Sequence, residues 1–361
     1  MHIPYLTMSY TIAFYVHHHG SGHFMRCLSI AKCLVKDRNV ILLGSGLKEY
    51  AHLIPDEIQF LNLPLDTPTI TDTHYLEGTA TESFHYAPLN VGGILERNMM
   101  INSLFQTNYP LLLVVDVSVE ITLLARLCGI PTIVMRQHGI RTDLPHRLAY
   151  QSATMLIAPF NKTLETSAEE WVVEKTFYSG GFSRYEPVSE MNNIKPTGVG
   201  ILIGAGGTSI DHNAIIHIAK QCKDLNFHVL GLTQPHQLPE IPNVTFYGRC
   251  HDIAQVLTKC TVVIANTGHN TVMELASLKK SLIGIPEERP FEEQLDKSKA
   301  LLDIDGYLQV LPEQIYTTDW MSLIAKLQQS ETELQQLIAK DALRKIADRL
   351  IGLGDSIFAK T

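Results

Sequence analysis

Short unbroken apolar runs alternate along this chain with longer stretches in which apolar residues recur every three or four positions. The first run, Thr11-Ile-Ala-Phe-Tyr-Val16, is rich in β-formers and followed by glycines, which predicts a strand buried on both faces. Beyond it Phe24, Cys27, Leu28, Ala31 and Leu34 fall on one stripe, the pattern of an amphipathic helix. Further runs predict strands over 39–43, 111–115, 131–135 and 154–159, with a helix over 121–128. The same alternation resumes with strands over 200–203, 227–230, 244–247, 261–265 and 281–285, and helices over 213–220 and 271–278. Strands alternating with helices imply α/β architecture with parallel sheets.

Two stretches break the pattern. Residues 64–88 carry prolines and threonines without periodicity, and read as a long loop over one rim. Residues 184–198 are polar and proline-punctuated, as a domain linker is. The expected division is a Rossmann-like domain over 1–184, a linker over 185–198, a second such domain over 199–330, and helices over 331–361 packing back on the first domain. Both halves open with a strand, a glycine turn and a helix, a repeat of architecture rather than of sequence.

Composition narrows the class. With 361 residues, 45% hydrophobic and 18% charged, the chain suits a globular protein of two domains. A net charge of −8 without a basic stretch argues against nucleic-acid binding. The six cysteines show no C-x-x-C pair or zinc spacing and read as reduced core residues. No secretory leader is expected at the start, and no apolar run is long enough to span a bilayer. The expected location is cytoplasmic, with peripheral contact at the inner membrane.

Candidate chemistry gathers where predicted strands end. His23 stands after Gly20-Ser-Gly22 at the mouth of a strand–turn–helix unit, where open α/β sheets put their sites. An imidazole there can take a proton from an attacking hydroxyl near neutral pH, or simply cap its own helix. Thr267, Gly268, His269 and Asn270 open a helix whose unpaired N–H groups suit a phosphate. Gly206, Gly207 and Thr208, in Gly204-Ala-Gly-Gly-Thr-Ser209, form a second such turn. Neither is a Walker loop, and Met25 stands where a third Rossmann glycine belongs. Thr271-Val-Met-Glu274 fits a capping box, which would turn Glu274 back onto the backbone. Gly22, Asp116, Arg136, His138 and Arg141, with His146 and Arg147, are candidates to line a pocket for a second substrate. His17, His18 and His19 lack acidic companions, so no metal site is expected.

Four segments together resemble a family. Gly-Ser-Gly-His23, Gly204 to Ser209, Thr267 to Glu274, and Ile285-Pro-Glu-Glu-Arg-Pro-Phe-Glu-Glu-Gln294 resemble the GT-B nucleotide-sugar glycosyltransferases. The branch they are most similar to contains the peptidoglycan N-acetylglucosaminyltransferase. The resemblance implies two Rossmann-like domains facing across a cleft, with the acceptor on the N-terminal side and the nucleotide on the C-terminal side. It implies that Glu274 holds the ribose hydroxyls, that Glu293 and Gln294 bond the donor sugar, and that Arg249 and Ile253 lie beside the base. It implies sugar transfer from a nucleotide diphosphate sugar, UDP-linked, to a hydroxyl of a carbohydrate or lipid-linked acceptor. His23 would act as base with inversion, and no obligatory cofactor or metal would be needed.

Gly20 to Leu28 is also similar to the opening of the nucleotide-sugar hydrolase of the pseudaminic acid pathway, in which water replaces the acceptor. A protein that binds nucleotide sugar without catalysis is the remaining alternative.

Overall fold

A computed structural model describes residues 10–18, 21–76, 81–185, 196–204, 206–234, 241–250 and 252–359. His19, Gly20, Ala205 and most of the expected linker (186–195) lie outside the described residues.

The N-terminal half builds strands β1 (Thr11–Val16), β2 (Asn39–Ser45), β3 (Ile58–Leu63), β4 (Leu111–Asp116), β5 (Thr132–Met135), β6 (Met155–Ala158) and β7 (Thr176–Tyr178). They form one sheet in the order 3-2-1-4-5-6-7, every pair parallel. Its helices are α1 (Ser21–Lys32), α2 (Gly92–Thr107), α3 (Val119–Leu127), α4 (Leu144–Ser152) and α5 (Glu170–Lys175). The C-terminal half builds β8 (Gly198–Leu202), β9 (Phe227–Leu230), β10 (Val244–Phe246), β11 (Cys260–Asn266), β12 (Ser281–Ile285) and β13 (Tyr307–Gln309), again parallel, in the order 10-9-8-11-12-13. Helices α6 (His212–Gln221), α7 (Ile253–Leu257), α8 (His269–Ser277), α9 (Glu293–Ala300) and α10 (Trp320–Gln329) cover it. A last helix, α11 (Ala342–Phe358), lies against α1, with Ile346, Ala347 and Leu350 in the same core as Phe14 and Phe24.

The apolar runs became central strands because both their faces are covered: β1, β4, β5 and β6 are buried at every position. The stripe Phe24, Cys27, Leu28, Ala31, Leu34 is buried throughout, packing α1 onto the sheet. Full burial of Phe24 or Leu28 contributes roughly 1.5–3 kcal/mol each. Elements the pattern did not announce are peripheral or irregular in sequence. Strand β3 sits at a sheet edge with only its end residues buried, β7 and β13 are three residues long, and α2 opens on two glycines.

Strand order fixes where chemistry gathers. In the first sheet the winding reverses between β1 and β4, and in the second between β8 and β11. Each reversal opens a crevice beyond the carboxyl ends of its strands. His23 and Asp116 stand at the first crevice; Gly206 to Ser209 and the start of α8 stand at the second.

Candidate active site

At the first crevice, β1 and β4 run in register, Val16 beside Asp116. Asp116 ends an entirely apolar strand and its side chain is 0% exposed. Its Oδ2 lies 3.1 Å from His23 Nδ1, and its Oδ1 accepts a hydrogen bond from Arg26, one turn further along α1. The Cys27 thiol donates to Oδ2 at 3.5 Å. Burial alone would raise the Asp116 pKa, but the Arg26 guanidinium and His23 outweigh it and hold the carboxyl well below its usual range. His23 Nδ1 stands between Asp116 Oδ2 and the Arg26 guanidinium, which is also 3.1 Å away; in the tautomer that donates from Nδ1 to the ionised Asp116, Nε2 keeps its lone pair for a substrate proton. Asp116 was expected to line a pocket; it lies behind His23 instead, because β4 is the strand hydrogen-bonded to β1.

Helix α8 begins at His269, two residues before the predicted start, with Gly268 as N-cap and no side-chain cap. The Thr271–Glu274 capping box therefore does not form. Among the described residues no side chain caps the first N–H groups of α8, the condition under which a helix end receives an anion. Glu274 pairs with Arg184, Nε to Oε1 at 2.8 Å. Burial raises its pKa more than Arg184 lowers it. The two helix starts come close: a Cβ on Gly22 would lie 2.5 Å from Asn270 Nδ2, so only glycine fits there without moving Asn270. A small cleft is lined there by Met25, Arg26, Ser29, Asn270, Arg184 and Glu274.

The glycine turn after β8 is occupied by the protein itself. Glu287 accepts from Ser209 N at 2.6 Å, Ser209 Oγ at 2.7 Å, Thr208 Oγ1 at 3.2 Å and Asn266 Nδ2 at 2.9 Å. Arg289 donates to the carbonyls of Gly206 and Gly207 at 2.6 and 2.7 Å. Thr208, expected to meet phosphate, thus faces a carboxylate. Glu287 and Arg289 lie in the Ile285–Gln294 segment, but nothing in the sequence pairs them with a turn some eighty residues earlier.

Gln294, the second residue of α9, accepts from Thr267 Oγ1 at its backbone carbonyl (2.9 Å) and from Glu287 N at its side-chain oxygen (3.0 Å). It stands beside Gly268 at the start of α8. Glu293 reaches towards Arg141 at 3.7 Å. Arg249 is exposed, and Ile253 has its side chain in the core, leaving only backbone groups to meet a ligand.

The basic cluster after β5 does not form a pocket lining as a unit. Arg136 is buried on Glu165 (2.7 Å), Tyr178 and Thr176 inside the N-terminal half, because its position at the end of β5 faces β6 and β7. His138 stacks on Phe160 at 4.0 Å and is held neutral by burial, reinforced by Lys297, Arg136 and Arg141. Arg141 lies over the Phe291 ring and bonds His146 at 3.0 Å.

These residues fasten the two halves together. Phe291 and Glu292 adopt left-handed backbone, φ 61° and 54°, which drives the Phe291 ring between His85, His146 and Arg141. Ile140 N donates to Phe291 O at 2.8 Å, and Asp296 accepts from Gly139 N (2.9 Å) and Thr166 Oγ1 (2.6 Å). Asp296 and Lys297 carry no sequence signal that singles them out, and Phe291 lies in the segment that resembles the family without a role of its own there.

One group of metal-type ligands occurs among the described residues: His85, Asp143 and His146, with ligand atoms within 4.8 Å of one another. Their separations are those of hydrogen bonds, 2.8 Å from His85 Nε2 and 2.6 Å from His146 Nδ1 to Asp143. His17 stacks on His18 and lies 5.4 Å from the His23 ring.

Residues 206–350 match the glycosyltransferase family 28 C-terminal domain. An uncharacterized glycosyltransferase of Methanosarcina mazei is 24% identical over 251 residues, 61% of this chain and 64% of its own length, so the chain spans less than two thirds of that relative. The UDP-N-acetylglucosamine–N-acetylmuramyl-(pentapeptide) pyrophosphoryl-undecaprenol N-acetylglucosamine transferase of Pasteurella multocida is 23% identical over 329 residues, covering 88% of this chain and 89% of its own. The crystal structure of MurG from Acinetobacter baumannii superposes with a TM-score of 0.63 at 14% identity, over 95% of this chain and 99% of its own. The chain has the GT-B fold and resembles the peptidoglycan N-acetylglucosaminyltransferases.

Proposed function

We propose that this GT-B chain transfers a sugar from a uridine diphosphate sugar to an acceptor hydroxyl. The observation that carries the reading is the opposition of the two crevices. His23, backed by Asp116, stands on one side, and the uncapped start of α8 meets it from the other, with Gly22 and Asn270 in close approach. A diphosphate leaving group gathers charge as the sugar bond breaks, and the free N–H groups of α8 are aimed to receive it. Glu274 takes the ribose hydroxyls once Arg184 gives way, Gln294 bonds the sugar, and Arg249 and the Ile253 backbone border the base.

On this reading His23 Nε2 removes the acceptor proton while the acceptor oxygen attacks the anomeric carbon. The bond to the diphosphate oxygen breaks in the same displacement, so configuration inverts. Asp116 stabilises the imidazolium that forms, and Arg26 keeps Asp116 ionised. The acceptor enters from the N-terminal side. Leu95 and Met99, exposed one turn apart on α2, are apolar side chains that support a lipid-linked acceptor. The working place is then the cytoplasmic membrane face; no helix among the described residues is long and apolar enough to cross a membrane.

The test is incubation with UDP-, CMP-, GDP- and dTDP-sugars, following thermal stabilisation and nucleotide release with and without candidate acceptors. The expected result is stabilisation by a UDP-sugar, release only when acceptor is present, and a product of inverted configuration. Rapid release to water would instead make the chain a hydrolase.

A further inference from the structure

Lys297 is 1% exposed, and its Nζ has no hydrogen-bond partner among the described residues. Its electrostatic neighbours are Glu293, Arg26 and Asp296, and it acts in turn on His138 and His269. Lys297 lies on α9, and electrostatic interactions link its ammonium to Arg26 on α1, His269 at the start of α8 and His138 in the loop after β5. Neither neighbouring carboxylate bonds it. Asp296 is taken by Gly139 N, Thr166 and Ser167, and Glu293 reaches to Arg141. The orphan Nε2 of His138 lies in the same region.

A buried cation without an acceptor is costly; the charges of Glu293 and Asp296 offset part of that cost, and the other charges nearby add to it. Arg26 is a second cation, and α8 presents the positive end of its dipole. Burial accordingly pulls the lysine down to about 7. Hydrophobic residues of similar length would fill the space more cheaply, so the position fits a ligand better than it fits folding. On α9, Lys297 follows Gln294 by one helical turn and shares its face.

We propose that Lys297 is an oxyanion-binding residue of the donor pocket, taking either a phosphate oxygen of the nucleotide or the carboxylate of an acidic sugar. The inference rests on the nucleotide-sugar reading for the identity of the ligand. It does not rest on that reading for the existence of the anion site. Arrival of the anion supplies the missing acceptor and restores the full positive charge of the ammonium.

The test is calorimetric titration of the full-length chain and of Lys297→Met with inorganic pyrophosphate, uridine, UDP-glucose and UDP-glucuronate. Lys297→Met is expected to melt at or above the wild-type temperature, to bind uridine unchanged, and to lose at least tenfold in affinity for an anionic ligand. Equal losses for pyrophosphate and both UDP-sugars identify the phosphate; a loss confined to UDP-glucuronate identifies the sugar carboxylate. Lys297→Gln, which keeps polarity without charge, serves if the methionine variant does not fold. Affinities for pyrophosphate and both sugars that match wild type overturn the proposal. Lysine-dependent pyrophosphate binding without binding of any nucleotide sugar upholds the anion site and sinks the transferase reading instead.

Discussion

His23 Nδ1 lies 3.1 Å from Asp116 Oδ2, although 93 positions separate them in the chain. The contact exists because β4 pairs directly with β1, so the end of one strand abuts the helix that follows the other. Asp116→Asn keeps the shape but removes the charge that orients and supports the imidazole. Turnover is expected to fall by about 10²–10⁴-fold with little change in donor affinity, read as kcat against binding by calorimetry. Unchanged turnover would remove His23 from the role of base.

Removing the same carboxylate altogether has a separate consequence for stability. Asp116→Ala strands Arg26, whose guanidinium is buried, and the loss of one partner of such a pair costs about 3–5 kcal/mol. Denaturant unfolding of Asp116→Ala and of the double variant with Arg26→Leu checks this. The double variant should recover part of the loss.

Acid sensitivity should begin with histidines. Burial lowers His138 and His269 well below 6.5 and His146 to about 4. Below about pH 6.5 the unfolded chain binds protons at these sites that the folded chain refuses, so stability falls as pH drops. Each such group contributes about 1.4 kcal/mol per pH unit within its window. Asp116, whose folded pKa is depressed, keeps its full contribution above the ordinary carboxylate range and loses it only at lower pH. Unfolding free energies between pH 7 and 5 should therefore slope less steeply in His138→Phe than in wild type, and parallel slopes would contradict the assignment.

Arg184 and a nucleotide ribose would compete for Glu274. Glu274→Ala is expected to weaken UDP binding by about a hundredfold or more, since two hydrogen bonds to a charged group are together worth about 3–6 kcal/mol. Arg184→Ala should leave binding unchanged or tighten it. A loss of affinity in Arg184→Ala equal to that of Glu274→Ala would mean that the ion pair itself, not the free carboxylate, serves the ligand.

Gly139 tests how firmly the halves are fastened. Its φ of 107° is unfavourable for any side chain, and a Cβ there would lie 2.4 Å from Phe291 O. Gly139→Ala should cost about 2–4 kcal/mol through strain and lost bonds to α9. The same variant should show a broader distribution of small-angle scattering dimensions as the Ile140–Phe291 link opens.

Part of this site was legible because its signals are local. Apolar run lengths, helical stripes and glycine turns depend on neighbouring residues, so β1, α1, β11 and α8 were anticipated, as was His23 at a strand end. Helix α8 starts two residues before the position its apolar pattern marks. Gly268 serves as N-cap through its backbone conformation alone, which leaves no side-chain signature.

The sequence by itself determined the α/β alternation, the two windings and the positions of the titratable groups, since periodicity and turn chemistry act over a few residues. Only the tertiary structure decided which of those groups meet. Strand order put Asp116 behind His23 and turned Arg136 inward to Glu165. Packing of the two halves sent Asp296 to Gly139 and left the buried Lys297 ammonium with no hydrogen-bond partner among the described residues. Those outcomes depend on contacts between residues far apart in the chain, whose energies no local pattern records.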